Sequence, residues 1–223
     1  MEARNRTCLL VAVITVLTFG QSRSAFADGS VRFWQTTRAS FDVNKDWKVT
    51  AEEQVKLRQD VSALYYEHTD LGFVYKDLAK GVDLGFNYKQ VFCEDDDGDW
   101  SRENRPHLNV MIRGRLSAFD LFDRSRFEYR DREDERDLWR YVHLLKVAMP
   151  FELTRFKLRP YVADQVYLNL DGQAFDKNRI YSGVSFELSK NVRSDFCYIW
   201  QSAKSDGCWE DLDALGLLLS IRF

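Results

Sequence analysis

The sequence predicts an all-β chain folded as an antiparallel up-and-down transmembrane β-barrel of about ten to twelve strands, with short periplasmic turns and longer extracellular loops. Three observations predict it. Hydrophobicity alternates with a period of two almost throughout. The alternating segments reach about ten residues or more, enough for a tilted strand to cross a bilayer, whereas globular strands usually have about five or six. Finally, 14% of residues are aromatic and yet 30% are charged, a mixture that suits a barrel with a polar lumen and excludes a membrane helix bundle.

The first 27 residues read as a signal peptide. Arg4 and Arg6 precede the apolar run Cys8 to Leu17, and Ala25-Phe26-Ala27 has the small-x-small pattern of a cleavage site. Cleavage after Ala27 leaves one barrel domain over 28–223. It removes three arginines and one glutamate, net +2, so the formal charge of -3 becomes -5. With no basic tail or block, no nucleic-acid partner is expected.

The segments 31–43 and 63–77 are strand-like with a blurred alternation. Between them Trp47, Val49, Val55 and Leu57 oppose Lys48, Glu52, Lys56 and Arg58. Leu84, Phe86 and Tyr88 oppose Asp83, Asn87 and Lys89, and Leu108, Val110 and Ile112 oppose His107, Asn109, Arg113 and Arg115. Phe127 and Tyr129 oppose Arg124, Arg126, Glu128 and Arg130, then Trp139, Tyr141 and Leu145 oppose Arg140 and Lys146. Over 155–170, Phe156, Leu158, Val162 and Val166 oppose Lys157, Arg159, Tyr161 and Gln165. Ile180, Val184 and Phe186 oppose Arg179, Tyr181 and Glu187, and Phe196, Tyr198 and Trp200 oppose Arg193, Asp195 and Cys197. Eleven strands are readable, but single-chain bacterial barrels have even numbers, which leaves ten or twelve open.

Short turns are expected near 44–46, 79–81, 117–120, 150–152 and 189–191, and longer polar loops near 93–101, 131–137, 171–177 and 203–211. In the last strand Leu215, Leu217, Leu219, Ile221 and the terminal Phe223 share one face. Such a strand can be captured by edge pairing and reads as the signal taken up by the barrel assembly machinery. Outer-membrane lipid and lipopolysaccharide are the other expected partners.

The order Arg124-Ser-Arg126-Phe-Glu128-Tyr-Arg130, Leu138-Trp-Arg-Tyr141, Arg159-Pro-Tyr-Val-Ala-Asp-Gln-Val-Tyr167 and Asn178-Arg-Ile-Tyr-Ser-Gly183 resembles a family of outer-membrane β-barrels classed as domain of unknown function 2490. Phe33-Trp34, Glu52-Glu53 and Gly72 to Tyr75 are similarly placed. Gln165 departs from the pattern, since the family more often has an acidic residue there. The resemblance implies location and architecture. It implies no activity, substrate or cofactor.

The strongest candidate site is the polar register itself: Arg113, Arg115, Arg124, Arg126, Glu128, Arg130, Arg140, Lys146, Lys157, Arg159, Arg179, Glu187 and Arg193. An ion-pair plug in a narrow lumen is favoured over an anion-attracting pore, because so small a barrel leaves little free width. The acidic stretch Glu94 to Asp99 reads as a solvated loop rather than a cation site. Asp42 to Glu53 mimics an EF-hand but has Trp47 where the turn needs glycine, so it reads as a hairpin. No metal site and no cofactor are expected. His143 lies on the apolar register without a nucleophile elbow, and reads as a residue of the interface belt. Of the three cysteines after the leader, Cys93 and Cys208 are assigned to loops on one side, and a bridge between them is expected, leaving Cys197 free.

These readings converge on a narrow, charge-plugged barrel of the bacterial outer membrane, with a structural or small-solute, anion-channel role. An outer-membrane lipid-modifying enzyme and a soluble periplasmic barrel for a small molecule are the alternatives. The solute itself is not legible.

Overall fold

A computed structural model describes residues 31–223 apart from 59–62, 96, 134, 173 and 206. The expected leader and its cleavage site lie outside the described residues. Eleven strands form one closed barrel: β1 (Arg32–Asp42), β2 (Trp47–Leu57), β3 (Leu64–Ala79), β4 (Val82–Glu94), β5 (Trp100–Leu116), β6 (Phe119–Arg132), β7 (Leu138–Ala148), β8 (Arg159–Asn169), β9 (Ala174–Glu187), β10 (Val192–Ser205) and β11 (Cys208–Arg222). Every consecutive pair is antiparallel. An odd number of alternating strands ends in the direction it began, so β1 and β11 must close the barrel in parallel. They do so from Arg32 opposite Ala214 to Ser40 opposite Arg222. The eleven strands among the described residues fall within the expected ten to twelve, though the even-number rule does not hold.

The shortest strands have 11 residues and β5 has 17, so each is long enough to cross a bilayer at a tilt. Pro106 has no N–H to donate, and the β5–β6 ladder skips Arg105 and Pro106 before resuming at His107 opposite Glu128. The EF-hand mimic is a hairpin turn: Asn44 Oδ1 accepts the N–H groups of Asp46 and Trp47, each at 2.9 Å.

One rim, here the lower, carries the connections 43–46, 80–81, 117–118, 149–158 and 188–191. The upper rim carries 58–63, 95–99, 133–137, 170–173 and 206–207. Strands continue further into the polar segments than expected. Much of 203–211 pairs as β10 and β11, from Ala203 opposite Glu210 to Ser205 opposite Cys208. The longest connection between described strands lies on the lower rim. There Leu153 bridges Leu158 and Lys157 turns at a positive φ of 53°, so 155–158 is not strand.

Gly183 marks a close approach between strands. A Cβ there would lie 2.5 Å from Cys197 Cβ and 2.5 Å from the Phe196 carbonyl oxygen. Gly183→Val is expected to destabilise the barrel by about 1–3 kcal/mol through overpacking, read as a lower urea midpoint of unfolding.

Candidate functional site

Odd and even positions separate cleanly across the barrel wall. Outside lie Leu71 (57% exposed), Phe73 (60%) and Phe86 (53%), with Phe127, Val162 and Phe196 further round. Aromatic pairs, each with at least one exposed ring, stand at both rims. Trp47 packs edge-on against Tyr75 at the lower rim; Tyr129 against Trp139 and Phe175 against Trp209 occupy the upper. The apolar exterior is interrupted on β2 and β3, where Thr69 donates to Glu53 at 2.6 Å, and on β6 to β9. There His143 Nε2 meets Asp123 at 2.6 Å, the Ser125 and Tyr141 hydroxyls are 2.8 Å apart, and Asn178 donates to Asp164 at 2.6 Å.

Inside, a cavity of 1220 Å³ runs past an ionic lining. Near the lower rim Lys146 pairs with Asp195 at 2.6 Å, and Asp83 with Arg113. At mid-height Asp70 lies 3.4 Å from both Lys89 and His107 and accepts a hydrogen bond from Asn87 at 2.8 Å. Glu128 accepts from Arg140 Nε at 2.6 Å and lies 3.9 Å from Arg126, while Arg126 Nε donates to Asn109 at 2.9 Å. Higher up, Glu103 accepts from Arg105 at 2.6 Å and from Arg130 at 2.9 Å. These pairs satisfy one another's charges; several cross-link adjacent strands, and Lys146 to Asp195 reaches from β7 to β10.

The lumen also has an apolar wall. Trp34, Ala148, Tyr161, Cys197, Ile199 and Ala214 form a buried cluster on the β1, β7, β8, β10 and β11 side. Most of the ion pairs lie on β2 to β7, Lys146 and Asp195 join β7 to β10, and β9 adds Lys177 and Arg179.

Of the residues expected in the lumen, Arg113, Arg124, Arg126, Glu128, Arg130, Arg140, Lys146, Arg159, Arg179 and Arg193 line the cavity. Three do not. Arg115 and Glu187 have the correct parity but lie exposed at the lower rim, where Arg115 pairs with Asp120 at 2.8 Å. Lys157 sits exposed in the 149–158 turn. The expected Cys93–Cys208 bridge is not formed. All three cysteines are free, and β4 and β11 are separated around the wall by β3, β2 and β1. Sequence reasoning omitted Lys56, Lys89, Glu103, Arg105 and Lys177 from the site. The same parity would have found the first two, whereas Lys177 lay in a stretch taken for loop.

Outside the strands, the Tyr129 hydroxyl and the Arg132 N–H donate to Asp137, at 2.8 and 3.0 Å. The Arg132 N–H, then the Tyr129 hydroxyl, holds its carboxyl below the usual carboxylate range.

An apolar exterior, an ionic interior and a closed strand order define a single-chain β-barrel with a charged lumen. The chain belongs to the family described as Protein of unknown function (DUF2490), whose model matches residues 31–210. No curated protein matches it.

Proposed function

We propose that this chain is an outer-membrane β-barrel whose lumen is constricted by its own ion pairs, the remaining 1220 Å³ of space preferring anions. The observation that carries the reading is the exposed apolar exterior, bounded by aromatic pairs at both rims, around a charged interior. In water that exterior would be a large exposed hydrophobic patch, which soluble monomers avoid. In a bilayer it is the lipid-facing surface of a barrel with interfacial girdles. The preference for anions follows from cations in the lining that have no carboxylate partner.

Fractionation of cells expressing the chain tests the location. Extraction only with detergent, and a folded band whose gel migration shifts on heating, are the expected results; extraction in buffer alone overturns the reading in favour of a soluble barrel. In a planar bilayer the purified protein is expected to give small channels or none, with anion preference where current flows. Large cation-selective steps contradict both the plug and the sign.

The second reading, a lipid-modifying enzyme, draws on the exterior group on β6 and β7. Ser125 faces His143 in register, and His143 holds Asp123. The Ser125 hydroxyl, however, is bonded to Tyr141, and no hydrogen bond joins it to the imidazole. Mass spectrometry of lipid A from cells with and without the gene decides between them: an altered acyl pattern favours the enzyme, an unchanged one the passive barrel.

A further inference from the structure

Three cations near the upper rim of the lumen have no carboxylate within 4 Å among the described residues, unlike Arg58, Arg105, Arg130 and Arg140 near them. Lys56 is buried, yet no carboxylate lies within 4 Å of it among the described residues. Its ammonium sits instead 4.3 Å from the Trp34 ring and 3.8 Å from the Tyr66 ring. Arg179 has no carboxylate partner there either. It donates to neutral groups, Gln201 Oε1 and the Tyr167 hydroxyl, each at 2.7 Å, and its guanidinium lies 4.7 Å from that same Trp34 ring. Lys177 is the third, 5.7 Å from the Tyr167 ring, which Arg179 approaches at 5.2 Å.

Two of the lumen carboxylates below them are already committed. Glu103 holds Arg105 and Arg130, and Glu128 holds Arg140. Contact with aromatic faces offsets part of the cost of gathering three like charges, but it supplies no counter-charge. Buried charges are ordinarily paired, and an uncompensated group of this kind calls for an anion. All three residues line the 1220 Å³ cavity, so space for one adjoins them.

We infer that Lys56, Lys177 and Arg179 form a binding site for a phosphate-bearing anion in the upper lumen. The inference rests on the lumen reading above and deepens it by naming the ligand. Phosphate suits the set because its oxygens can accept from the guanidinium and from both ammonium groups at once. Trp34 and Tyr167 hold the cations in place before the anion arrives. The phosphate could be carried by a small ester in solution or by a lipopolysaccharide headgroup at the rim.

The test is calorimetric titration of the detergent-folded full barrel with inorganic phosphate at constant ionic strength. Saturable binding at one site per chain is expected. The K56Q/K177Q double variant is expected to weaken it by about tenfold or more, since each ammonium makes a charge-assisted contact. Lys48→Gln, which removes a lysine from the lower lumen, should leave it unchanged. Removing two mutually repelling charges favours folding, and a retained heat-shifted band verifies that the variant is folded. Displacement of phosphate by glycerol 3-phosphate alone assigns the free ester; displacement by lipopolysaccharide vesicles assigns the lipid. Absence of saturable binding, or equal weakening by K48Q and by the double variant, overturns the site. Neither result touches the membrane reading, which fractionation tests separately.

Discussion

Glu128→Ala is expected to destabilise the barrel by about 3–5 kcal/mol, the usual cost of removing one partner from a buried ion pair. Glu128 is 2% exposed in the interior of β6, and Arg140, which donates to it, is 5% exposed. Arg126 stands 3.9 Å away on the same strand. Without the carboxylate, both guanidiniums remain inside the lumen with no anion in reach, since Glu103 already serves two arginines. Glu128→Gln should fall between wild type and alanine, because it keeps the shape and an acceptor oxygen but not the charge. Replacing both partners, Glu128→Leu with Arg140→Met, should recover much of the loss, since apolar groups of similar volume often substitute for a buried pair without penalty. Urea unfolding in detergent or lipid measures all three. A Glu128→Ala variant within about 1 kcal/mol of wild type would show that water or mobile ions already screen the lumen, and the plug would be the wrong description.

The strands were legible because a wall with one ionic and one apolar face imposes a period of two that nothing else in the chain imitates. Their ends were not. Ala203 to Glu210 is polar and reads as loop, yet a ladder hydrogen bond needs only backbone, so β10 continues to Ser205 and β11 begins at Cys208. Lys157 had the right parity only if 155–158 was strand, and the turn at Thr154 and Lys157 breaks that count. Parity also says nothing of height, which is why Arg115 and Glu187 were assigned to the lumen and lie at its edge. The odd strand number was readable locally and discounted on the even-number habit of bacterial barrels; the parallel seam that resolves it joins segments 181 or so residues apart in sequence, as in Ser40 and Ile221, and leaves no local mark. Circumferential distance is equally invisible, so Cys93 and Cys208 could be assigned to one rim without being near each other.

Leu71→Arg is expected to separate a lipid-facing wall from a wet one. Leu71 lies near the middle of β3, 57% exposed on the outer face, opposite Ala51 on β2 and Tyr88 on β4. Its side chain reaches no part of the lumen lining, so an arginine there disturbs none of the ion pairs. On a lipid face at mid-depth it costs about 2–4 kcal/mol, because the guanidinium must lose its hydration or drag water and headgroups inward. On a surface facing water the same change stays within about 0.5 kcal/mol. Reversible urea unfolding from phospholipid vesicles reads the difference, with Lys45→Glu in the β1–β2 turn as a control that lies beyond the strands in either case. A loss of the larger size for Leu71→Arg, with little change for Lys45→Glu, agrees with a barrel seated in a bilayer. Equal and small effects would mean that the apolar face meets something other than lipid, and the outer-membrane reading would fall with it.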